Sequence, residues 1–306
     1  MNKLLKIGNG VLAGLFVFSL ILASCRSGVK GDNKEADSLA VSGSDAAVYE
    51  DLKQAEKIFY TLPSPLESAM LIKSAGAVFE ESLLNPVENT NNYNTNKSMA
   101  LNLGIYTCDL SFASLYDQTQ LIINYMNAAK KMADGLGILD AISDDDIEKL
   151  EANIHDMDVI MDIVSQTYMN SNSYLEENGQ PAIAAIVLTG GWIEGLYIST
   201  QLVDMKDFDG NKLVGRIIDQ KLSIDILMNL LKGSQGHPAI DEITGQVERI
   251  KTVFDKIELT TTPVRPEYDQ STNVTVLKSE VKADLTPEVF TELSKTVAEI
   301  RNNLIK

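Results

Sequence analysis

Asn102, Tyr106, Asp109, Ala113 and Tyr116 recur at three- and four-residue steps, the spacing that aligns side chains along one face of a helix. That face carries an amide, a carboxylate and two phenols. Turned inward, it places the Asp109 carboxylate in a dry setting, where a lone charge is costly; the group must be hydrogen-bonded or take up a proton. Tyr106, one turn earlier, has a hydroxyl to donate. Glu194, two residues after Trp192, is the second acid expected to be enclosed, because the stretch around it is apolar on nearly every side. Two enclosed carboxylates held close with separated pKa values would make an acid–base pair. Carboxylates, phenols and an indole around a hollow would line a pocket for a small polar ligand. Bonded to one another, the same groups make an internal network that keeps helices in register; facing outward, they make only a solvated strip. Networks and strips are the commoner fate of such residues, so no catalytic residue is assigned.

Other chemistries find little support. The two histidines, His155 and His237, belong to no His-x-x-x-His or Cys-x-x-Cys pattern, so no metal site is expected. There is no Gly-x-x-x-x-Gly-Lys-Ser/Thr phosphate cradle and no Gly-x-Ser-x-Gly elbow. Asp207-Phe208-Asp209-Gly210 faintly resembles a calcium loop. Aligned on that template, however, the first ligand position is Met205 and the twelfth is Arg216, where a bidentate Glu is required. No cofactor is expected. Cys108, in an apolar helical segment, reads as a buried inert thiol.

The N-terminus carries an address. Lys3 and Lys6 precede an apolar run from Val11 to Leu22, followed by Leu22-Ala23-Ser24-Cys25. A charged n-region, an apolar h-region and small residues before a cleavage point form the pattern of a secretory signal. The run is short of the roughly 20 residues a spanning helix needs. Leu22-Ala23-Ser24-Cys25 resembles the lipobox of bacterial lipoproteins, and the resemblance implies cleavage before Cys25 and acylation of its thiol. Residues 1–24 contain two lysines and no acid, so their loss takes the net charge from -17 to -19. Such a chain repels nucleic acid and anionic headgroups. Attachment to a bilayer must then come from acyl chains, each buried methylene contributing about 0.8 kcal/mol. With Cys25 acylated, Cys108 has no disulfide partner and stability must come from a core.

The elements that position these residues are helical. Residues 25–46 are Gly, Ser, Asp, Lys and Ala with almost nothing large and apolar, a flexible tether. From 47 to 306 the apolar residues recur at three- and four-residue steps. Val48, Leu52, Ala55, Phe59 and Leu62 form a first stripe. Ala69, Ile72, Gly76, Phe79 and Leu83 predict a second helix stopped at Asn85-Pro86. One phase runs from Leu101 to Leu136, with a bend expected at Asp117-Gln118-Thr119, where the stripe turns polar. Ser143 before Asp144, Asp145 and Asp146 predicts a capped start for a heptad helix from Ile147 to Tyr168. Ala182–Leu202, opened by Pro181, is apolar all round and predicts the central helix of the core, with Gly191 and Gly195 letting a neighbour come close. Stripes over 213–231 and 240–257 predict two more helices. Thr260 to Asp269 reads as extended, Asn273–Leu277 as the one plausible strand, and Thr286-Pro287-Glu288 as the start of a final helix.

The predicted fold is all-α, a multi-helix bundle behind a lipidated tether, with at most one short strand near the C-terminus. A helical-repeat-like arrangement also fits, although tetratricopeptide spacing does not. The whole resembles the all-helical lipoproteins of Bacteroidetes-type envelopes, a resemblance that implies no reaction. Acylated Cys25 implies a lipid bilayer partner. Arg26 stands after it in place of the Asp that retains lipoproteins in the inner membrane, which points to an outer-membrane location. Helical stripes on an acidic, anchored body suit a non-catalytic protein-binding or scaffold role. The alternative is a periplasmic ligand-binding sensor or carrier with a pocket near Asp109 and Glu194.

Overall fold

Two helices are buried on nearly every side, and one of them is the helix whose sequence has no polar face, Pro181–Gln201. In the computed structural model of the chain, the described residues are 62–139, 144–261, 263, 265–269, 274–278 and 281–306, and all fall in one unit. The leader at 1–24, Cys25, the tether, the stripe from Val48 to Phe59 and the Ser143 cap lie outside them. The helices are α1 (Pro65–Ser74), α2 (Asn96–Leu115), α3 (Thr119–Gly135), α4 (Asp144–Ala152), α5 (Met157–Glu177), α6 (Pro181–Gln201), α7 (Lys212–Lys232), α8 (Pro238–Phe254) and α9 (Pro287–Leu304). The protein is an all-α, multi-helix bundle.

The bundle is organised around α6 and α2, which cross in direct backbone contact. A Cβ on Gly104 would lie 2.0 Å from the Val187 carbonyl oxygen, and one on Gly190 would lie 2.1 Å from that of Leu101. Only glycine fits at both places. The pair cited from sequence, Gly191 and Gly195, faces Pro65 and Ser68 of α1 at 3.1 and 3.0 Å, a looser approach. Helices α1, α5, α7, α8 and α9 complete the wall around α6, α3 packs on α2, and α4 on α5. The most extensive helix contact joins α2 to α6, four helices apart in the chain, so the bundle closes around a central pair and is not a linear stack of repeats. Every residue from Ala100 to Leu115 is buried. Thr107, Ser111 and Ser114 satisfy their hydroxyls by donating to carbonyls four residues back.

Several boundaries follow the sequence. Asp117, at φ +57, breaks the chain between α2 and α3 where the stripe turned polar. Thr286 caps α9 by accepting from the Val289 amide. Other expectations are corrected. The second helix ends at Ser74, not Asn85, because Gly76 takes φ +89 and the chain continues extended. Phe79 is reached by that extended segment and packs against the Phe112 ring at 5.3 Å between centroids. The heptad helix is two helices: Asn153 donates its side-chain amide back to the Lys149 carbonyl, and Asp156 starts α5 by accepting from the Val159 amide. The second of them runs past the expected end at Tyr168 and continues to Glu177.

The expectation of at most one strand is also corrected. The strand expected at Asn273–Leu277 is present as β3 (Val274–Lys278), but it pairs antiparallel with β2 (Arg265–Asp269). A second ribbon joins β1 (Glu258–Thr261) to β4 (Val281–Asp284). Pro266 lies within β2 opposite Leu277, which a two-stranded ribbon allows because it consists only of edges, where proline is tolerated.

Candidate functional site

The polar face of α2 is turned inward and meets α6, α9 and the segment between α1 and α2. Glu194 of α6 and Arg301 of α9 form the centre. Arg301 donates through Nη2 and Nε to Glu194 Oε1 and Oε2 at 2.7 and 2.8 Å, a bidentate fork. Nη2 also donates to the Leu83 carbonyl at 2.8 Å, and the guanidinium lies 4.5 Å from the Tyr197 ring centroid. Glu194 is 0% and Arg301 3% exposed. Burial by itself would lower the arginine pKa, but the Glu194 carboxylate against it prevails and raises it.

Asp109 lies beside this pair. Its Oδ2 accepts the Asn85 backbone amide at 3.1 Å, and its Oδ1 has no partner. Burial first, and the Glu194 charge second, push its pKa well above the ordinary carboxylate value, with Arg301 and the Asn85 amide opposing only in part. The trio is then a neutral acid, a carboxylate and a guanidinium, which balances charge in a dry core. Around it, Asn85 donates its side-chain amide to Asn102 Oδ1 at 3.0 Å and to the Tyr93 hydroxyl at 3.1 Å. Asn102 donates to the Leu304 carbonyl and Tyr93 to that of Ile305, each at 3.1 Å. The network thus binds the end of the last helix to the middle of the bundle.

Of the residues singled out from sequence, Asn102, Asp109 and Glu194 come together. Tyr106 borders the network but donates to the Pro86 carbonyl at 3.0 Å, not to Asp109. Tyr116 follows the last residue of α2, donates to the Ala77 carbonyl and packs against Phe79 and Phe112. Trp192 is two residues from Glu194, so it emerges on the opposite face of α6 and donates to Gln220 of α7 at 3.0 Å. The pocket expected around Asp109 and Glu194 is corrected as well: both have no accessible surface, leaving no room beside them even for water. The groups bond to one another instead.

Sequence reasoning missed Arg301, although a signal existed. It stands four residues after Val297 and three before Leu304, on the apolar stripe of α9, where a charge must find an enclosed partner. Asn85 and Tyr93 gave no such signal, since loop residues carry no period. Cys108 is fully buried, and burial pushes its thiol up, away from the reactive thiolate. Among the described residues no group of three His, Cys, Asp or Glu forms a metal cluster.

A second feature had no counterpart in the sequence reading. On the face of α2 next to the network lies a partly open cleft of ≈ 60 Å³. Leu103 and Leu110 of α2, Met126 of α3, Ile163 and Val164 of α5, and Val187 of α6 form its walls. Half-buried Lys130 and Asp146 also border it. Comparison with known protein families, curated proteins and solved structures finds no match to this chain.

Proposed function

We propose that this chain is a non-catalytic lipoprotein of the cell envelope, held at the outer membrane by acylated Cys25, whose helical body binds or scaffolds another envelope protein. The observation that carries this reading is Leu22-Ala23-Ser24-Cys25 at the end of a charged and then apolar leader. The acidic composition supports it, since a mature net charge of -19 disfavours nucleic acid and anionic headgroups and leaves the acyl chains to do the anchoring. The engagement of Glu194 by Arg301 and of Asp109 by the Asn85 amide supports a structural use of both acids. Neither is positioned to meet a substrate in a cleft.

The test is metabolic labelling with an alkyne-tagged palmitate, N-terminal analysis of the mature chain, and crosslinking in intact cells with identification of the attached protein. The expected result is a chain beginning at an acylated Cys25, resistant to high-salt washing and crosslinked to one recurring envelope protein. A mature chain still beginning at Met1, or one released by salt, refutes the anchoring. Crosslinks without a recurring partner refute the scaffold role.

A further inference from the structure

We propose that the cleft between α2, α3, α4, α5 and α6 is a binding site for the hydrocarbon tail of a single-chain amphiphile. The walls named above are aliphatic or thioether side chains, with no charged group among them. Thr107, the polar residue on the α2 side, donates its hydroxyl to the Leu103 carbonyl at 2.7 Å and so has no hydrogen to offer a ligand. Thr167, Tyr168 and Ser171 of α5 also line the cleft, but its wall is mostly aliphatic and favours an apolar ligand over a polar one, whose groups would be buried with few partners.

Size narrows the class further. An apolar cavity of about 150 Å³ accommodates benzene. The ≈ 60 Å³ of this cleft is well below that, so it takes the tip of an unbranched chain and not a ring. The cleft is kept open by its construction. Two of its walls belong to α2 and α6, which are fixed by the contacts at Gly104 and Gly190 and cannot close in without prising those backbones apart. Small side chains, Ala129 of α3 and Ser171 of α5, stand where larger ones would fill the space. Lys130 and Asp146, the half-buried charged residues of the lining, give the polar end of an amphiphile a hydrated place to remain. The arrangement is apolar at depth and charged at its border, which suits a ligand with one tail and one head.

The site does not depend on acylation of Cys25, whose own label would fall on a different peptide. Cells producing the full chain are given a fatty acid carrying a diazirine and an alkyne, irradiated, and the labelled peptides mapped by mass. The expected adducts lie on the α3 and α5 segments carrying Met126, Ile163 and Val164. Their added mass distinguishes a free fatty acid from a chain esterified in a lipid; either supports the site. Two filling variants, Ala129→Leu and Ser171→Leu, approach the cavity from different helices. In either variant that melts at or above the parent temperature, the adducts fall about tenfold or more, the discrimination a filled apolar pocket provides. Absence of adducts from these segments in the parent chain overturns the assignment, as does label scattered over exposed surface. Adducts unchanged in a filled variant that still folds overturn it equally.

Discussion

Replacing Arg301 by methionine tests whether the buried network holds the last helix. The substitution keeps a long side chain of similar reach but removes both bonds to Glu194 and the bond to the Leu83 carbonyl. Glu194, with no accessible surface, is left without its cation, and the Leu83 carbonyl loses its donor. Breaking a buried pair from one side costs about 3–5 kcal/mol. At about 2–4 °C per kcal/mol for a domain of this size, the melting temperature falls by about 6–20 °C. Urea unfolding followed by far-UV circular dichroism measures the loss, and hydrogen exchange locates it, first in α9 and in the segment from Leu83 to Tyr93. The cycle is completed by Glu194→Leu and the double variant. Because the double variant leaves no unpaired charge in the core, it is expected to cost less than either single change. Arg301→Met costing under about 1 kcal/mol, or a double variant costing the sum of the singles, refutes the reasoning.

Two other outcomes follow from the same geometry. Asp109 has a native pKa raised above its ordinary value of 3.8, so the folded state binds more protons than the unfolded one between that value and the raised one. Its contribution is fully present below 3.8 and is lost as pH rises toward the native pKa, with a slope approaching about 1.4 kcal/mol per pH unit. Asp109→Asn mimics the protonated acid and removes that loss. Melting curves of the two proteins are expected to diverge with rising pH in favour of the variant, and parallel curves from pH 4 to 8 refute the assignment. Gly190→Ala is expected to destabilise by about 3 kcal/mol or more, because its Cβ would overlap the Leu101 carbonyl. Gly215→Ala, in an exposed turn of α7 with nothing within 4 Å, is expected to stabilise by about 0.4–1 kcal/mol. Equal effects of the two in chemical denaturation would show that α2 and α6 are not in backbone contact.

What the sequence by itself determined is local. A segment apolar on all faces had to be central, and α6 is. A polar interruption of a stripe had to break a helix, and Asp117 does. A threonine before proline and an acid had to begin one, as Thr286 does before α9. Glu194 was legible as an enclosed acid because its stretch is apolar on nearly every side, whereas for Asn102 and Asp109 the period gave the shared face and left open whether it turned inward. Tertiary structure decided the rest. Arg301 meets Glu194 across 107 positions of sequence, and no period in either helix names the other. The break between α4 and α5 depends on Asn153 and Asp156 satisfying backbone groups, which a continuous heptad conceals. The two ribbons between Glu258 and Asp284 rest on cross-strand partners, invisible to a reading of one strand at a time. The apolar cleft is a gap between five helices, and a gap has no residues of its own to be read. Periodicity reports which face of an element is buried; only packing decides what that face is buried against.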